Sequence, residues 1–86
     1  MDSYDVILYP LMTEASSIMV EKENKLVFVV SLKAGKADIK RAVEELYEVK
    51  VDNVNTQITH QGEKKAYVKL RSEFKAADVA IKLGIL

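Results

Sequence analysis

The spacing of apolar positions divides this chain into seven segments, four with the character of strands and three with that of helices. Residues Tyr4 to Tyr9 are apolar and rich in strand formers. Pro10, which cannot donate to a sheet ladder, closes them as a short edge strand. Thr13 is placed to cap a helix through its hydroxyl, with Ala15, Ile18 and Met19 on one face and an end near Val20. A polar turn from Glu21 to Lys25 follows. Leu26 to Leu32 predicts a strand that is apolar on both sides, Leu26, Phe28, Val30 and Leu32 against Val27 and Val29, so both its faces should be covered.

From Lys36 to Glu48 the period changes. Ile39, Ala42, Val43, Leu46 and Tyr47 repeat the three-and-four spacing of an amphipathic helix, with charged residues opposite. Two alternating runs come next, Val51 to Thr59 and Lys65 to Arg71, and the residues between them, His60 to Lys64, suit a hairpin turn. Ser72 is placed to cap a last helix over Phe74 to Leu83, and Gly84 sits where a left-handed helix end is cheapest. The order strand, helix, strand, helix, strand, strand, helix predicts an α+β fold. It is one mixed, largely antiparallel sheet of about four strands with helices packed against it, a ferredoxin-like variant. No repeat or linker interrupts it, so residues 1–86 are expected to form one domain.

Composition narrows the function classes. Without cysteine, neither a disulfide framework nor a thiolate metal site is available to so small a fold. No apolar run is long enough to cross a bilayer, and the opening MDSYD lacks the basic and apolar regions of a signal peptide, so a cytoplasmic location is expected. Thirteen basic and 13 acidic residues cancel, which argues against coating nucleic acid by bulk charge. Their distribution is uneven: residues 1–34 carry five acids and three bases, whereas 51–75 carry five bases and three acids.

Alternation divides the hairpin between two faces. Ala66, Val68 and Leu70 should face the core with Val54 and Ile58. Lys65, Tyr67, Lys69 and Arg71 then face outward beside Asn53, Asn55, Gln57 and Thr59. That outer face combines cations for phosphate, amides and hydroxyls for sugar and base edges, and a phenol ring for stacking. A plain solvated sheet face carries alternating lysines too. In the Lys36–Glu48 helix, Lys36, Lys40 and Arg41 precede Glu44, Glu45 and Glu48, the reverse of what the macrodipole favours. Either ion pairs at four-residue spacing, Lys40 with Glu44 and Arg41 with Glu45, lace the helix, or its amides and lysines together face phosphate. His60 is the only histidine and sits in the predicted turn, so no metal set, cofactor site, nucleophile-and-base pair or small-molecule substrate site is expected. An RNA-binding protein and a ferredoxin-like adaptor between proteins remain, the second using an exposed sheet edge or apolar patch.

The segments YPLMTEAS, NKLVFVV, KADIKRAVEELYEVKVDNVNT and GEKKAYVKL resemble, in this order, the large-subunit ribosomal protein L-twenty-three family. DVAIKLGIL and the short hairpin turn resemble its archaeal and eukaryotic members. The resemblance implies a structural, non-enzymatic protein bound to large-subunit rRNA and neighbouring ribosomal proteins beside the exit of the polypeptide tunnel. The same resemblance implies that signal recognition particle and nascent-chain factors dock there. Carried over motif by motif, it implies RNA contacts at Thr13, Lys36, Lys40, Asn55, Thr56, Lys64, Lys65 and Lys69, and partner docking at Glu14. The residues themselves add Arg41, Asn53, Tyr67 and Arg71. Ala15 stands where that family usually places lysine, and the balanced charge departs from its basic norm.

Overall fold

The computed structural model describes residues 2–84. Its elements are α1 (Ser3–Val6), β1 (Ile7–Pro10), α2 (Glu14–Glu23), β2 (Lys25–Val30), α3 (Lys36–Tyr47), β3 (Val51–Ile58), β4 (Lys64–Leu70) and α4 (Ala76–Lys82). The four strands form one sheet in the order β1-β2-β4-β3, and every adjacent pair is antiparallel. β2 and β3 therefore run parallel with β4 between them, and α3 makes the crossover.

All the helices contribute to one core on a single side of the sheet. Leu26, Phe28 and Val30 of β2, Ala66, Val68 and Leu70 of β4, and Val51 and Val54 of β3 pack there with Val6, Val20, Ile39, Ala42, Val43, Ala76 and Val79. Phe28 is fully enclosed, and its ring stacks on Tyr47 of α3 with centroids 5.7 Å apart and planes 8° from parallel. Burial holds the Tyr47 phenol above its ordinary pKa of 10.0.

Local chemistry explains where the chain departs from its apolar pattern. The expected strand from Tyr4 begins instead as a helical turn, because the Asp2 carboxylate accepts from Tyr4 N and the Ser3 hydroxyl donates to Glu45 Oε2 on α3. The strand that follows is an edge, as expected, and Pro10 is its last residue. Thr13 caps α2, with its Oγ1 accepting from Ser16 N at 3.1 Å and Ser16 Oγ accepting from Thr13 N at 2.7 Å. The buried side of α2 is Ser16 and Val20; Ala15 and Ile18, expected inside, face solvent. Ser16 can be buried because its hydroxyl lies within bonding distance of the Leu11 and Thr13 carbonyls.

Ser72 does not cap α4, which starts at Ala76, two residues later than the expected Phe74. The cap comes from Asn24, whose Oδ1 accepts from Ala76 N at 2.7 Å while Nδ2 donates to Phe74 O at 2.8 Å. Asn24 takes the left-handed conformation at the end of α2, with φ 56°, which asparagine tolerates better than most residues. Gly84 closes α4 at φ 75°, as its position predicts. Of the sequence segment that resembles the family's closing helix, Ile85 and Leu86 lie outside the described residues.

The two central strands pair without interruption from Lys25↔Lys69 to Val30↔Lys64. Each edge strand carries an irregularity, at Leu8 in β1 and at Asp52 in β3.

Candidate RNA-binding surface

With the helices gathered on one side, the other side of the sheet is left without a covering layer. Register places its residues in three rows across the strands. Tyr9, Val29, Lys65 and Gln57 form the first, Val27, Tyr67 and Asn55 the second, and Lys25, Lys69 and Asn53 the third. Val27 and Val29 are only 5% and 3% exposed although no helix lies over them. The longer side chains of their own rows shield them, which is how both faces of β2 come to be covered. Leu32 lies past the end of the strand and is exposed.

Of the expected RNA contacts, Asn53, Asn55, Lys65, Tyr67 and Lys69 share this face, with Arg71 just beyond the end of β4. Thr56 pairs with Ala66, and Lys64 with Val30 and Ile58, so these two lie on the helix-bearing side. Ile58, expected in the core, is 63% exposed, because the hairpin end overhangs the helical layer. Lys64 Nζ donates to the Ala34 carbonyl at 2.6 Å, joining the start of β4 to the loop before α3. An ammonium has two further donors, so that bond does not occupy it fully. The same bond brings the first turn of α3 to the hairpin end of the sheet. Lys36, Lys40 and Arg41 belong to the helical layer and meet the sheet's cations only around that end.

The charges on α3 do not pair as four-residue spacing suggests. Glu44 Oε2 accepts from Val51 N at 2.9 Å and Glu45 Oε2 from Ser3 Oγ at 3.0 Å, so both glutamates anchor neighbouring elements. Arg41 bonds Asp38 at 3.2 Å. Among the described residues Lys36, Lys40, Lys65, Lys69 and Arg71 enter no ion pair. Asp38 Oδ2 also accepts from Gly35 N at the start of α3. A phosphate there would therefore meet lysine side chains more than helix amides. Lys40→Ala is expected to change stability by less than about 0.5 kcal/mol, whereas Glu44→Ala, which strands the Val51 N–H, is expected to cost about 1 to 3 kcal/mol. Thermal melts of the two variants compare them directly, and a large loss from Lys40→Ala would mean that its charge holds the fold.

Thr13 lies at the start of α2 with its hydroxyl engaged in the cap, and Glu14 beside it is exposed and without a hydrogen bond or ion pair among the described residues. Tyr9 is a face residue that strand parity missed, since the bulge at Leu8 reverses the alternation in β1. Its hydroxyl donates to Glu63 Oε2 at 2.7 Å, and that bond to a carboxylate raises its pKa above 10.0. Among the described residues no group of acidic or histidine side chains is placed to hold a metal ion, and no helix is long and apolar enough to cross a membrane.

The model of the family described as Ribosomal protein L23 matches residues 5–84. Curated relatives include the large ribosomal subunit protein uL23 of Methanococcus aeolicus and that of Methanothermobacter thermautotrophicus, each 51% identical over 85 residues. The uL23 of Methanococcus maripaludis is 49% identical over 85 residues. In all three the match covers 99% of this chain and 99% of the relative.

Proposed function

The chain belongs to the ribosomal protein L23 family, and from that premise we propose that its open sheet face holds large-subunit rRNA beside the exit of the polypeptide tunnel. It is a structural component of the cytoplasmic large ribosomal subunit, not an enzyme, and its partners are rRNA and ribosomal proteins.

The observation that carries the RNA reading is the composition of the three rows: two lysines without ion pairs, two asparagines and two tyrosines over an apolar floor. Lys65, Lys69 and Arg71 take phosphates, Asn53 and Asn55 take sugar and base edges, and Tyr67 takes a base. Lys36, Lys40, Arg41 and Lys64 hold backbone that turns around the hairpin end, with the Thr13 and Thr56 hydroxyls at the margins. A protein partner laid on this face would have to desolvate both lysines and supply carboxylates to match them. RNA brings its own anions. Ultraviolet crosslinking in purified large subunits, followed by peptide mapping, tests the assignment. Crosslinks are expected in the peptides of β3 and β4; adducts confined to α2 and α4 would place RNA on the wrong side of the molecule.

Glu14 is proposed to dock a basic segment of signal recognition particle or another tunnel-exit factor. Its carboxylate at the first turn of α2 also favours the helix dipole, so stability alone does not identify the role. An exposed charge at an interface rim acts mainly on association rate and its salt dependence. Glu14→Lys is expected to slow recruitment of signal recognition particle to ribosomes at low salt while the variant still enters large subunits. Recruitment at the native rate would leave Glu14 as a helix-end residue only.

A further inference from the structure

Two tyrosines lie on the open face, and each is tethered at its hydroxyl. Tyr9 stands on edge strand β1 opposite Val29 of β2, and its bond to Glu63 reaches the turn that leads into β4. Because β2 separates β1 from β4, the tether draws the ring across β2 and over Val29, whose 3% exposure needs such a cover. Tyr67 donates to Gln57 Oε1 at 3.3 Å, one row nearer the hairpin end on β3, so its ring leans across that strand. Tyr67 is half-buried, so part of its surface stays open to solvent. Tyr9 is 46% exposed.

Lys65 stands between the two rings. It shares the row of Tyr9 and Val29, and it precedes Tyr67 by one alternation of β4. Strand geometry puts its Cα about 10 Å from that of Tyr9 and about 7 Å from that of Tyr67. Its ammonium makes no hydrogen bond or ion pair among the described residues.

We propose that the open face takes an unpaired two-nucleotide step of RNA, one base on Tyr67 and the next on Tyr9, with the intervening phosphate on Lys65. The proposal rests on the RNA reading above and specifies the form of the ligand: a loop or bulge with splayed bases. Bases in an A-form duplex are stacked on one another and cannot lie on protein rings. Asn55, directly opposite Tyr67, offers both a donor and an acceptor to a base on that ring. The Glu63 carboxylate beside Tyr9 repels phosphate and accepts from a base amino group, so at that end base rather than backbone covers the ring.

Filter binding of the full chain to a large-subunit rRNA transcript tests this with Tyr9→Leu and Tyr67→Leu, which keep apolar cover over the floor. Tyr9→Phe and Tyr67→Phe keep the ring. Each leucine variant is expected to lose about 5- to 100-fold in affinity with the slope of log affinity against log salt unchanged, because stacking releases no counterions. The phenylalanine variants are expected to stay within a few-fold of wild type. Melting curves verify that the leucine variants remain folded. Native affinity in both leucine variants, with Lys65→Glu still weakening binding, would sink the stacking while leaving the RNA surface in place. Native affinity in all of them would remove both.

Discussion

Changing Lys65 and Lys69 together to glutamate is expected to lower affinity for large-subunit rRNA by about 100-fold or more at low salt, since each charge-assisted contact contributes about 1.5 to 3 kcal/mol. The two lysines lie on one strand with Tyr67 between them, and neither is tied to a carboxylate. No side-chain hydrogen bond or ion pair among the described residues is lost when they change. Each phosphate contact steepens the salt dependence by about 0.7 to 0.9 in log-log slope, so the double variant should show a slope shallower by about 1.5. The chain's balanced charge makes this loss easier to see, because there is no general excess of positive charge to hold RNA non-specifically. Titration of wild type and variant at several salt concentrations gives both quantities. Equal affinities and parallel slopes would remove RNA from this face.

Phe28→Ala is expected to destabilise the protein by about 3 to 5 kcal/mol. Phe28 lies on the central strand β2, fully enclosed, with Tyr47 stacked against it, so truncation removes the stack and opens a cavity between sheet and α3. A domain this size has a total stability of about 4 to 13 kcal/mol, so the loss takes a large share of it. Thermal unfolding followed by circular dichroism should show the midpoint falling by about 12 °C or more. A second signal comes from Tyr47. Its phenol pKa is raised by burial, so its share of the stability is complete below the unfolded value and declines as pH rises through the folded one, above 10.0. With the cavity hydrated, that pKa should move back toward its ordinary value. A midpoint within a few degrees of wild type would show that Phe28 does not organise the core.

The face of the hairpin and the buried stripe of α3 were readable because each repeats one period over many residues. Asn53, Asn55, Lys65, Tyr67 and Lys69 share a face through parity alone, and Ile39, Ala42 and Val43 share a stripe through helical spacing alone. What local period could not show was set by bonds between distant residues. Asn24 caps a helix that begins 52 residues later, Ser3 turns inward to meet Glu45, and Glu44 leaves Lys40 to hold Val51 N. Ser16 is polar yet buried because two carbonyls lie within reach of its hydroxyl. Tyr9 escaped because a single extra residue at Leu8 reverses the parity of a four-residue strand.

The two irregularities of the sheet fall on its two edges, at Leu8 and Asp52, while β2 and β4 pair evenly between them. A straight edge accepts a strand from another molecule, and a bulge twists the ladder out of line. β1 adds brevity and a terminal proline to the same effect. A chain synthesised apart from the particle it joins spends time alone and concentrated among copies of itself. Bulged margins work against edge-to-edge pairing of one copy with another during that interval.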